Sequence, residues 1–174
     1  EVFAVDPTRG QGGIQVRIGG INICGAGSVN LTSVTIANVS ATINSVQDCF
    51  LATVTAGLAD FNSSVTGDLV LQGNTGSTVT LADAFTYVPS GRIESITPSV
   101  GQGGESVTIE GRSLLGGGSS LQSAQLAGVP ATIISANSTT VRLVAKSGPV
   151  SASRRTGDVE LVSDIAVTLT STNA

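Results

Sequence analysis

The chain has 174 residues, 8 of them basic and 12 acidic, for a net charge of −4, and it has no histidine. That balance leaves no electrostatic footprint for nucleic acid or an anionic membrane surface, and the missing histidine excludes Ser-His-Asp and Cys-His catalysis. Apolar residues make up 40% of the chain but aromatics only 3%, so a core has to be built from Val, Ile, Leu and Ala, side chains that suit thin sheets.

The opening stretch Val5-Asp6-Pro7-Thr8-Arg9-Gly10-Gln11-Gly12-Gly13 leads into the alternating Val16 and Ile18. It returns about 91 residues later as Ile96-Thr97-Pro98-Ser99-Val100-Gly101-Gln102-Gly103-Gly104, followed by Val107 and Ile109. The two cysteines, Cys24 and Cys49, follow in the first copy alone, a placement that suits one intradomain disulfide or two buried free thiols. Between and beyond them lie the acceptor motifs Asn30-Leu31-Thr32, Asn38-Val39-Ser40 and Asn62-Ser63-Ser64, with Asn137-Ser138-Thr139 in the second copy. Chance gives about two such motifs in a chain this rich in Ser and Thr, so the excess points to an oxidising, secretory compartment. Asn38 aligns with the turn Gly128-Val129-Pro130, and Asn is the non-glycine residue best suited to a left-handed turn. The register continues through Ala41-Thr42-Ile43 against Ala131-Thr132-Ile133, Leu51 and Val54 against Val141 and Val144, and Thr66-Gly67-Asp68 against Thr156-Gly157-Asp158.

The first copy ends on a strand from Ser77 to Tyr87, and Val88-Pro89-Ser90-Gly91 joins it to the second, too short for a flexible tether. Period-two alternation in the second copy predicts strands at 92–96, 106–110, 121–127, 131–134, 139–144, 157–162 and 165–170. Two all-β sandwiches stacked end to end are therefore expected, over 1–88 and 91–174, the second without the aromatic closing strand of the first. No run approaches the roughly 18 apolar residues that cross a bilayer. The N-terminus has no signal-peptide pattern and the chain has no methionine, so a processed, mature piece is expected.

Ile96-Thr97-Pro98, Gly103-Gly104, Val107 to Gly111 and Gly128-Val129-Pro130-Ala131 together resemble an IPT/TIG domain. The first copy resembles it as well, through Asp6-Pro7, Gly12-Gly13, Val16 to Gly20 and the closing Ala84-Phe85-Thr86-Tyr87. The resemblance implies tandem immunoglobulin-like sandwiches, a fold used in plexins, ciliary and bacterial surface proteins, starch-acting enzymes and transcription factors, so it supplies an architecture rather than a function.

Residues able to carry chemistry are few. Glu105 with Glu110, or Asp158, Glu160 and Asp164, are the only candidates for paired carboxylates, and the Thr-Gly-Asp triplets at Asp68 and Asp158 invite a calcium reading. A solvated face and a turn entering a strand are the plainer readings. Arg154-Arg155, the only basic pair, reads as a solvated loop, and the glycine runs lack the Lys and Ser/Thr of a phosphate cradle. The expected function is a non-catalytic, glycosylated extracellular or cell-surface module, structural or adhesive, without cofactor, metal or membrane insertion. The alternative is an accessory carbohydrate-binding module, weakened by the absence of Trp and the single Tyr87. For assembly, the apolar Val2, Phe3 and Val5 and the missing aromatic strand ending in the second copy suggest head-to-tail joining of copies into a filament, or contacts with neighbouring repeats.

Overall fold

A computed structural model of the chain describes residues 1–59, 61–148 and 156–172. These fold into two compact units, Glu1–Pro89 and Ser90–Ala174. Arg154 and Arg155 lie outside the described residues.

The first unit contains β1 (Val2–Asp6), β2 (Arg9–Gly10), β3 (Gln15–Gly20), β4 (Leu31–Ile36), β5 (Val39–Gln47), β6 (Leu51–Thr55), β7 (Val65–Gly73) and β8 (Thr78–Tyr87). Their order is β1-β3-β6-β5-β4-β7-β8-β2. Strand β5 is long enough to serve both layers: its start pairs with β4 and its remainder with β6. Alternation dictates which side chains meet in the middle. Val16 and Ile18 of β3, Val34 and Ile36 of β4, Ala52 and Val54 of β6, and Leu69 and Leu71 of β7 are all fully buried. Phe85 and Tyr87 of β8 join them, edge to face at 5.1 Å.

The second unit repeats the plan with β9 (Arg92–Thr97), β10 (Ser106–Arg112), β11 (Leu121–Leu126), β12 (Val129–Ala136), β13 (Thr140–Ala145), β14 (Val159–Ser163) and β15 (Thr168–Ser171), in the order β15-β14-β11-β12-β13-β10-β9. Each strand expected from the alternation has its counterpart. The last strand, β15, runs antiparallel to β14 as the first half of β8 does to β7. It has four residues where β8 has ten. Val107, Ile109, Ala124, Val141, Leu143, Val159, Leu161 and Leu169 form this core, with no aromatic ring.

Backbone hydrogen bonds superimpose the units residue by residue. Gly20 donates to Phe50 and Ile23 to Cys49 in the first, while Gly111 donates to Thr139 and Leu114 to Ser138 in the second. One sequence alignment is corrected by this register. Ile18 pairs with Ala52 and Ile109 with Val141, so Ala52 corresponds to Val141 and Val54 to Leu143, rather than Leu51 to Val141 and Val54 to Val144. Thr42 pairs with Thr55 whereas Thr132 pairs with Val144, so the second hairpin is one residue shorter. Val144 adds an apolar residue at an outward position, so the sequence alone makes the two alignments equally apolar.

Candidate functional site

The chain's repeated motifs fall into turns. Ala37 and Asn38 both have positive φ, at 49° and 63°, and so do Ala127 and Gly128, at 49° and 74°. Two consecutive left-handed residues make the tight hairpin turn whose twist matches the flanking strands. The glycine of each Thr-Gly-Asp triplet lies under that turn. A Cβ on Gly67 would come within 2.7 Å of Ala37, and one on Gly157 within 2.8 Å of Ala127. The following aspartate supplies a main-chain acceptor, with Ala37 donating to Asp68 and Ala127 to Asp158. Asp68 also accepts the Asp83 amide on its Oδ1 at 3.0 Å, at the bulge where β8 bends. The triplet is thus explained by turn packing, and among the described residues no group of three His, Cys, Asp or Glu side chains is placed to hold a metal.

Three of the carboxylates singled out in the sequence, Glu105, Glu110 and Asp164, take up hydrogen-bond donors close to them in the fold. Glu105 accepts the Gln102 amide within its own turn, and Glu110 accepts the Ser95 hydroxyl across β9 and β10. Asp164 accepts the Ser119 amide on both oxygens, at 3.1 and 3.2 Å, and the hydroxyls of Ser119 and Ser120 on Oδ2. The Ser119 hydroxyl, then the remaining Ser119 and Ser120 donors, hold its carboxyl below the usual Asp range. This arrangement latches the loop between β10 and β11. Sequence reading missed it because Ser119 and Asp164 are separated by 45 residues.

Cys24 and Cys49 form a disulfide with Cα atoms 5.4 Å apart. Cys24 follows β3, and Cys49 occupies the turn between β5 and β6 rather than the strand itself. Around it Ser28, Thr75 and Ser77 form a hydroxyl cluster, with Ser28 Oγ 2.6 Å from Thr75 Oγ1 and 3.0 Å from Ser77 Oγ. No general base stands among these hydroxyls, and their outer bonds run to the Ala26 and Cys24 carbonyls.

The four acceptor asparagines, Asn30, Asn38, Asn62 and Asn137, are all exposed. Asn38 caps the hairpin turn. Asn137 uses its Oδ1 to accept the Thr139 and Thr140 amides, at 2.8 and 2.7 Å, so these bonds engage the oxygen and not the nitrogen that a glycan would modify. Of the residues proposed for assembly, Val2 turns into the core and Val5 is half-buried, leaving Phe3 as the one that faces solvent. Tyr87 is fully buried, so it cannot serve as a sugar-stacking platform, and burial raises its phenol above the usual value.

The IPT/TIG domain family matches residues 92–173. Among solved structures, the plexin A4 extracellular region (domains 1 to 8) is similar over 98% of this chain and 17% of its own, at 17% identity and a TM-score of 0.55. A second plexin A4 extracellular structure (domains 1 to 10) covers 94% of this chain and 14% of its own, at 18% identity and a TM-score of 0.58. The surface glycan-binding protein PbSGBP-B from Prevotella bryantii covers 98% of this chain and 41% of its own at 14% identity, but its TM-score of 0.39 carries no argument. None of the curated proteins matches the chain. The chain spans less than a fifth of the plexin chains it resembles, 17% and 14%, and at these identities the likeness is one of fold. Strand order, register and family match converge: the chain carries an IPT/TIG domain over residues 92–173, within an all-β tandem of two immunoglobulin-like sandwiches.

Proposed function

We propose that the chain is a non-catalytic, glycosylated module of an extracellular or cell-surface protein, serving to build or join surfaces, with both sandwiches of the IPT/TIG kind. The observation that carries this reading is the exposure of all four sequon asparagines, three of them on the disulfide-bonded first sandwich. A disulfide suits an oxidising compartment, and glycans at turn tips shield strand edges from pairing with other chains. Glu105 engaged in its own turn, Glu110 across β9 and β10 and Asp164 in a loop latch support the non-catalytic reading.

Peptide mapping of the chain made through a secretory route, after enzymatic deglycosylation, tests this. Conversion of Asn to Asp is expected at two or more of Asn30, Asn38, Asn62 and Asn137. Absence of conversion at all four overturns the glycoprotein reading.

A further inference from the structure

Three identical residues are covered in one unit and open in the other. Gly10, Gln11 and Ala56 are buried in the first, whereas their counterparts Gly101 and Gln102 are exposed and Ala145 is half-buried in the second. The main chain fixes the correspondence. Gly13 donates to Ala56 and Gly104 to Ala145, Ala56 donates to Ile14 and Ala145 to Glu105, and Gly13 and Gly104 share a positive φ of 90° and 92°. Residue type and local hydrogen bonding agree at these positions, so the difference in burial comes from what lies over them.

In the first unit the cover is the second half of β8. On one side Thr86 donates to Thr8 and Val88 to Gly10, which makes the parallel pairing of β8 with β2. On the other side Phe85 and Tyr87 pair with Gly67 and Val65 of β7. Ala84, Phe85, Tyr87 and Val88 are all buried, while the Thr86 hydroxyl stands 2.8 Å from that of Thr66. The second unit keeps both rims of this position. There β14 pairs with β15 only from Val159 opposite Ser171 onward, which leaves Gly157, the counterpart of Gly67, without a strand partner among the described residues. Nor does any main-chain donor among them reach the carbonyls of Ser99 and Gly101, the counterparts of Thr8 and Gly10. Val100 stands between these two at 57% exposure. Main-chain groups left unpaired along a strand position are a template for another strand.

We infer that this slot in the second unit, bounded by Ser99 to Gln102 on one side and by Thr156 and Gly157 on the other, binds an extended peptide segment from outside residues 1–174 that has the alternation of Ala84 to Val88. The first unit displays the occupant's chemistry. It is a strand that turns an aromatic side chain inward at every second residue, sets a hydroxyl residue between them, and hydrogen-bonds along both of its edges. Main-chain bonds of this kind give affinity, and the inward side chains give specificity. Glu105, which replaces Ile14 beside the slot, accepts the Gln102 amide within its own turn. The chain's own segment of this pattern is committed to β8, so a second copy has none to offer. The inference goes beyond the module reading and does not rest on glycosylation, because Asn137, the sequon of this unit, lies at the far end of β13 from Ala145.

Solution NMR of the oxidised full chain, titrated with a synthetic peptide of the sequence Asp83 to Ser90 from about 10 µM to about 2 mM, tests this in the range where weak contacts form. Saturable shifts are expected at residues 99–102 and 156–158, with amide exchange there slowed about tenfold once the peptide reaches about ten times its dissociation constant. The matching segments of the first unit, 8–11 and 66–68, are expected to stay unchanged, because their position is filled. The same peptide carrying Phe85→Ser and Tyr87→Ser is expected to produce no response. Absence of binding up to about 2 mM overturns the inference, as does equal binding of the serine peptide or an equal response in the first unit. Self-association without peptide that protects residues 99–102 overturns it as well, and assigns the slot to a second copy.

Discussion

The two units solve the same loop-closing problem with different chemistry. In the first, the segment after β3 is fastened by the Cys24–Cys49 disulfide and by the hydroxyls of Ser28, Thr75 and Ser77. In the second, Leu115 and Ser138 occupy the cysteine positions, Val167 replaces Ser77, and Asp164 latches the loop through Ser119 and Ser120. The backbone ignores the exchange. Gly73 donates to Ser77 and Asn74 to Asn30 in one, Ser163 to Val167 and Asp164 to Ser120 in the other. The frame is thus set by alternation, by glycines at close approaches and by main-chain hydrogen bonds, while the loop closures are interchangeable additions.

Breaking the disulfide gives the largest expected difference between the units. The cysteines are separated by 25 residues. Closing a loop of that size restricts the unfolded chain by about 3 kcal/mol. Reduction, or the double variant Cys24→Ala, Cys49→Ala, is expected to lower the melting transition of the first unit and leave that of the second unchanged. Calorimetry with and without reductant distinguishes the two, and equal shifts would show that the units do not unfold separately.

The glycine beneath each hairpin turn sharpens the comparison from the opposite side, since it is shared. Gly67→Ala and Gly157→Ala both drive a methyl into turn backbone, and overpacking of this kind costs about 2 kcal/mol. Each variant is expected to destabilise its own unit by a similar amount, read from denaturant midpoints. A large disparity would mean that one turn relaxes and that the frames are less alike than their hydrogen bonds indicate.

Much of this frame was legible in the sequence because it rests on local rules. The repeat of Val16 and Ile18 as Val107 and Ile109, the strands bounded by turn residues, and the left-handed Asn38 all follow from periodicity and backbone sterics. Strand β15 is expected from its alternation, but three residues earlier than it starts. What could not be read depends on register. Phe3, Ile21, Phe50 and Leu51 are scattered over three segments and each resembles a core residue, yet all four are exposed. Val2 and Phe3 are adjacent and both apolar, yet alternation sends one inward and the other out, and the bulge leaves Ala4 facing out beside Phe3.

A smaller effect of opposite sign is expected at the turns themselves. Ala37 and Ala127 adopt positive φ, a conformation that costs a residue with a Cβ about 1 kcal/mol. Ala37→Gly and Ala127→Gly are expected to stabilise their units by up to that amount, less the extra entropy glycine carries in the unfolded chain. Chemical denaturation of each variant measures it, and a loss of stability would show that the alanine methyl contributes packing that outweighs its strain.

The smallest expected effect separates the units by pH. Asn74 and Asp164 hold equivalent positions, each accepting an amide from the facing loop, Val29 at 3.1 Å in one and Ser119 at 3.1 Å in the other. Only the carboxylate titrates. Its folded pKa lies below the unfolded value because the Ser119 and Ser120 donors favour the charged form, so the unfolded state binds the proton more readily. The stabilisation is then fully present above the ordinary Asp value of about 4 and is lost as the pH falls through the lowered folded value. Asp164 is solvent-facing, which screens the interaction and keeps the effect small. Asp164→Asn, which recreates the first unit's solution, is expected to retain the Ser119 amide bond, to change the second unit's stability little at neutral pH and to flatten its decline below about pH 4. Thermal melts across that range, for parent and variant, decide the matter: an undiminished acid decline in the variant would assign the loss to other carboxylates and remove the latch as its cause.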